Sequence, residues 1–300
     1  MAKAGVVTAC LVALGATACS LFVSLDGLSD DLAVCTSCDD AGKSLDGAGV
    51  DAALDSGPPV EASAPDSSVP ADAGCPSGHG PTMVSTGGFC IDSTEVTGAQ
   101  YGAFLTAIGG ASGALTRTAD CAWKTSTSTG CSGGGNFPIA CVDWCDANAY
   151  CAWAGKRLCG NVSDGGVLES SLAGNRASSE WSLACSPDGR VFPYGNSFED
   201  GVCNTRYIDG GDRAGSVAVG SLSQCVGGPS TLFDMAGNVE EWLDACDSSD
   251  AGAGMPTDLC KEGGDAFNFT LTGLARCDNN DGDQRNFTGS DVGIRCCANQ

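Results

Sequence analysis

Phe89-Cys90-Ile91-Asp92-Ser93-Thr94-Glu95-Val96-Thr97-Gly98-Ala99-Gln100-Tyr101 joins a short apolar run to the start of a helix. Thr97 and Gln100 have the spacing of a capping box, in which each side chain satisfies the other's backbone N–H. Tyr101, Phe104, Leu105 and Ile108 follow at helical spacing, and Gly109-Gly110 ends the run. A second helix is predicted from Asp143 as cap, with Ala147, Tyr150, Cys151 and Ala154 on one face and Gly155 just beyond its end. A shorter third begins at Ser178 and runs through Trp181 to Cys185. The rest is glycine-rich, with few charges and apolar runs broken by turns. The predicted class is α+β with low regular content, an architecture whose loops need disulfides or bound ions to fix them.

Outward from this region the composition changes. Met1–Ala18 carries Lys3, an apolar run from Val6 to Leu14, and small residues up to Cys19. That pattern predicts a signal peptide over 1–18, too short to span a membrane. Ala16-Thr17-Ala18-Cys19 resembles a bacterial lipobox and makes Cys19 the candidate lipidation site, although Ala16 stands where leucine is usual. Between Leu25 and Gly74 the chain is mostly Asp, Ala, Ser, Gly and Pro, with Lys43 as its one basic residue. Such a segment buries too little apolar surface to offset its ordering entropy, so 19–74 is expected to be an acidic disordered tether. Its reach would be roughly 40 Å. The domain is expected over 75–300. The expected location is the bacterial cell envelope, through a lipid anchor, and Ser20 after Cys19 favours an outer-membrane lipoprotein; the alternative is a periplasmic or secreted protein. A formal net charge of −23 argues against a nucleic-acid partner.

Export would make the cysteines legible. Sixteen lie between Cys75 and Cys297, an even number that reads as disulfides in an oxidising compartment. Cys35 and Cys38 form a CxxC in the acidic segment, read as a local disulfide. His79 is the one histidine, which excludes sites built on several imidazoles and makes a Ser/His/Asp triad a poor reading.

The motifs then fall into an order that resembles the formylglycine-generating, or sulfatase-modifying factor, family. The stretch from Phe89 to Thr97 with Gln100, Tyr101 and Phe104 is similar to its opening signature. Val142-Asp143-Trp144-Cys145-Asp146-Ala147, Ala149 to Leu158 and Ser179-Glu180-Trp181 are similar to its central helices. Phe192-Pro193-Tyr194-Gly195-Asn196, Cys203-Asn204-Thr205, Leu232 to Trp242, Gly263-Gly264 and Gly293-Ile294-Arg295-Cys296 follow. The resemblance spans roughly 82–297 and implies the family's fold, a distant relative of C-type-lectin-like domains. It implies two long-range disulfides, Cys151–Cys296 and Cys185–Cys277. The other twelve cysteines are expected to form six further bridges, local ones, whose pairing stays open. It also implies calcium, with Asp234, Gly237, Val239 and Glu241 as one ligand group of hard oxygens. Asn204 with Thr205, completed by Asp209 or Asp212, resembles a second group. Asp278-Asn279-Asn280-Asp281-Gly282-Asp283 fails the EF-hand pattern, because Gly282 falls where a ligand belongs, and reads as a solvated turn.

Active members of that family bind copper(I) through two cysteines five residues apart, soft thiolates suited to that ion. Phe267 and Thr272 occupy the matching positions here, and Asp265 replaces the serine after the two glycines. Copper is therefore not expected. The iron-dependent branch of the family, which uses three histidines from an attached domain, is not matched either. The reading from sequence is a non-catalytic module binding a peptide or glycan ligand, with Asp265, Phe267, Thr272 and Trp242 as its candidate cleft. The alternative is a family oxidoreductase, converting a sulfatase cysteine to formylglycine through displaced cysteines such as Cys260 and Cys297. A purely structural envelope role is the third reading.

Overall fold

The computed structural model describes residues 74–113, 117–205, 215–247, 254–268 and 275–300. The signal, Cys19, Cys35, Cys38, nearly all of the tether, Asp209, Asp212 and Thr272 lie outside the described residues.

Helix α1 (Gly98–Ala107) starts as its capping box requires: Thr97 N–H donates to Gln100 Oε1 at 2.9 Å, and Gln100 N–H donates to Thr97 Oγ1 at 3.3 Å. Tyr101 and Phe104 are buried, while Leu105 and Ile108 pack partly covered against the same cluster. Gly109 takes φ +83°, a left-handed turn that stops the helix. Helix α2 (Trp144–Trp153) also has a capping box, formed by Asp143 with Asp146, and Lys124 ion-pairs with both carboxylates. Its burial is wider than one face, since Trp144 to Ala147 and Ala149 to Cys151 are all covered. Helix α3 (Glu180–Cys185) is capped by Ser179, one residue later than expected.

Two four-stranded sheets complete the domain. The first has the order β1 (Met83–Ser85), β2 (Phe89–Asp92), β8 (Cys296–Asn299), β3 (Arg157–Leu158), all antiparallel. A late segment of the chain is thus inserted between two early ones, with Ile91 and Arg157 on either side of Cys297. The second has the order β6 (Gly282–Gln284), β5 (Leu259–Gly263), β4 (Glu240–Cys246), β7 (Val292–Gly293), with β4 and β7 parallel. A bridge between Cys159 and Leu243 joins the two sheets. Only Ile294 and Arg295 separate β7 from β8, so the chain crosses between sheets there and buries Arg295 completely.

All sixteen cysteines from Cys75 to Cys297 are paired. Cys151–Cys296 and Cys185–Cys277 form as the resemblance implies. Five of the remaining bridges close short loops, of 10 to 24 residues: Cys75–Cys90, Cys121–Cys145, Cys131–Cys141, Cys203–Cys225 and Cys246–Cys260. The expectation that all six would be local is corrected by Cys159–Cys297, which spans 138 residues. The physical reason is strand pairing: β8 lies beside β3, and Cys159 directly follows β3.

Candidate functional site

The double glycine is where the site begins. A Cβ at Gly263 would stand 2.5 Å from the Trp181 ring, so glycine is what lets β5 cross that indole. Gly264 has φ +81° and turns the chain into Asp265. Asp265 is buried, and its Oδ1 accepts the Ala266 N–H at 2.9 Å. Burial pushes its carboxyl up to about 7, against the pull of that hydrogen bond. Phe267 is half-buried, with its N–H donating to the Asn238 carbonyl at 3.2 Å, and Asn268 is exposed. The phenylalanine in the first copper-cysteine position thus lies against the turn that precedes β4.

That turn is held by a buried polar network. The Trp181 indole N–H donates to Glu241 Oε2 at 2.9 Å, and Arg295 Nε donates to Glu241 Oε1 at 3.0 Å. The remaining Arg295 donors reach the carbonyls of Asp92, Phe233 and Asp234. Asn238, at φ +66°, donates from Nδ2 to Glu95 Oε1 and accepts on Oδ1 from Asn204 Nδ2. Three buried carboxylates, Glu95, Asp234 and Glu241, therefore share the field of one guanidinium. Burial, then the Asp234 charge, pushes Glu95 well above the usual carboxylate range. Glu95 Oε2 is buried and meets no hydrogen-bond donor. Burial raises Glu241 to about 7 despite Arg295.

Gly237, Asn204 and Thr205, three of the residues expected from sequence at calcium, lie together. A Cβ at Gly237 would stand 2.4 Å from the Asn204 carbonyl oxygen and 2.8 Å from Thr205 Cγ2, so the two predicted ligand groups are neighbours. Calcium fits part of this set. Asn204 Oδ1 is buried without a donor, an acceptor to spare beside the Asp234–Val239 turn. Glu241 does not fit, because both its oxygens are occupied and a buried guanidinium already neutralises it. Trp242, expected at the cleft, is a fully buried core residue whose indole donates to the Val142 carbonyl at 2.9 Å. Cys260 and Cys297, the candidates for a displaced thiol pair, are bonded to Cys246 and Cys159.

Sequence reasoning missed the site roles of Glu95, Asn238 and Arg295. All three sat inside quoted motifs; what was not visible was which distant partner each would meet.

A family model for the sulfatase-modifying factor enzyme 1-like domain matches residues 72–300. Inactive C-alpha-formylglycine-generating enzyme 2 of Bos taurus is 33% identical over 113 residues, covering 35% of this chain and 32% of that protein. The formylglycine-generating enzyme of Streptomyces coelicolor is 32% identical over 115 residues, covering 36% of this chain and 32% of its own length. The matched stretch is thus about a third of the length of these curated relatives. Among solved structures, PvdO from Pseudomonas aeruginosa aligns with a TM-score of 0.48 and 22% identity over 71% of this chain and 80% of that one. CarF aligns with a TM-score of 0.47 and 19% identity, covering 71% and 86%.

Proposed function

The chain belongs to the sulfatase-modifying factor family, and from that premise we propose that it is a non-catalytic, ligand-binding module of the cell envelope, held there as a lipoprotein. One observation carries the reading: the domain keeps no thiol for a copper(I) pair. Lys261–Arg276 contains no cysteine, and each of the sixteen from Cys75 to Cys297 is half of a disulfide. Phe267 and Thr272 stand where the family resemblance places the thiolates, and neither side chain ligates a soft cation. Two relatives, from Bos taurus and Mus musculus, 33% and 31% identical to this chain over 113 residues, carry the name inactive. The ligand in this reading is a peptide or glycan approaching half-buried Phe267, beside the buried Asp265. Calcium belongs to the same reading at Asn204 and the Asp234–Val239 turn, where it would brace loops that the short strands leave unsupported.

The test is a thiol count on the folded and on the denatured, unreduced chain, with copper(I) titration and an oxidation assay on a sulfatase peptide. No labelled thiol in 75–300, no stoichiometric copper and no formylglycine are expected. Two accessible thiols that bind copper(I) and support peptide oxidation would overturn the reading in favour of a displaced oxidase site.

A further inference from the structure

The second sheet gathers acids that the proposed function does not use. Trp242 lies opposite Glu262 across β4 and β5, so Glu240, two residues before Trp242, shares a face with Glu262. Cys260 lies opposite Asp283 across β5 and β6, which places Asp283 on that face too. The Glu262 N–H donates to the Asp281 carbonyl at 3.2 Å and sets Asp281 beside it. Lys261 alternates to the other face, where its Nζ donates to the Asn280 carbonyl at 3.1 Å.

The floor of this group distinguishes it from a charged surface. Glu262 is only 2% exposed, and its Oε1 is buried with no hydrogen-bond partner. Three other buried acids of the domain are matched by a cation: Asp92 by Lys156, Glu180 by Arg157 and Glu241 by Arg295. A buried carboxylate oxygen left without a donor is costly, and its presence needs a reason.

We propose that Glu262 and Glu240, with Asp281 and Asp283 at the rim, form a binding site for a divalent hard cation of the calcium type. Four carboxylates and no soft ligand suit that class. Among the described residues no three acidic, His or Cys side chains already converge on one ion. The two glutamates are fixed in strands, whereas Asp281 is exposed and Asp283 half-buried, so rotation of these short side chains completes the set around an incoming cation. The turn Asp278–Asp283, which Gly282 disqualifies as an EF-hand, would supply only the rim of this site, and β4 and β5 its floor. The site is separate from the Asp234–Val239 turn, because successive residues Glu240 and Glu241 point to opposite faces of β4. It is also independent of the ligand-binding role.

The test is calorimetric titration of the full chain, stripped by chelator, with calcium chloride. Glu262→Gln should bind one calcium fewer than wild type, or bind it with affinity reduced about tenfold or more, since one charged ligand is lost from the floor. Asp283→Asn, at the half-exposed rim where folding is not at risk, should weaken the same site about three-fold or more. Asp234→Asn should leave this site unchanged, which separates it from calcium at the family position. Wild-type titration without a calcium site sensitive to Asp283→Asn and Glu262→Gln would overturn the proposal.

Discussion

Arg295 is one side chain on which three carboxylates and three carbonyls depend. Replacing it with methionine keeps the bulk but leaves Glu241, Asp234 and Glu95 buried without their cation. Breaking a buried pair from one side costs about 3–5 kcal/mol, so Arg295→Met should lower the denaturation midpoint by that equivalent. A second residue gives a pH signature. Burial raises Asp244 from the ordinary 3.8 to about 6, although Arg157 opposes the shift. The folded chain therefore holds this proton more tightly than the unfolded one. Stability from this group is present below pH 4 and is lost as pH rises toward 6. The full effect is about 2–3 kcal/mol, and less for the part of the carboxyl that solvent reaches. Denaturation midpoints for Asp244→Asn should show a flatter slope across pH 4–6 than wild type.

At the scale of the element, α2 is fastened by a disulfide at each end. Its first turn holds Cys145, bonded to Cys121, and its last holds Cys151, bonded to Cys296. The chain-entropy relation gives about 5 kcal/mol for the 145-residue loop and about 2.7 kcal/mol for the 10-residue Cys131–Cys141 loop. Removing Cys151 and Cys296 together should therefore destabilise the domain roughly twice as much as removing Cys131 and Cys141, read from urea midpoints of the paired variants. The helices were legible because their signals are local: Thr97 with Gln100 and Asp143 with Asp146 lie three residues apart. The third start shifted by one because Ser178 and Ser179 are both capping residues. The strands, two to seven residues long, take their identity from partners far along the chain, and no periodicity of two develops over such lengths. The candidate site divides the same way. The Leu232–Trp242 turn could be recognised from sequence, whereas the Glu95–Asn238 contact, 143 residues apart, could not.

For the whole molecule, the cysteine total could be read as disulfides, and two pairings followed from the family resemblance. The pairing of Cys159 with Cys297 could not, because it is set by the insertion of β8 between β2 and β3. That insertion also fixes a timetable. Cys296 and Cys297 are adjacent, yet they close loops of 145 and 138 residues onto Cys151 and Cys159. At about 5–20 residues per second, synthesis leaves Cys151 and Cys159 unpaired for on the order of ten seconds before their partners exist. During that wait they are eight positions apart and close to Cys141 and Cys145, so the first bonds they can make are wrong ones. Correct pairing then requires thiolate attack on those early bonds once the late cysteines arrive. Adding a disulfide-exchange catalyst after synthesis should therefore raise the yield of correctly paired domain.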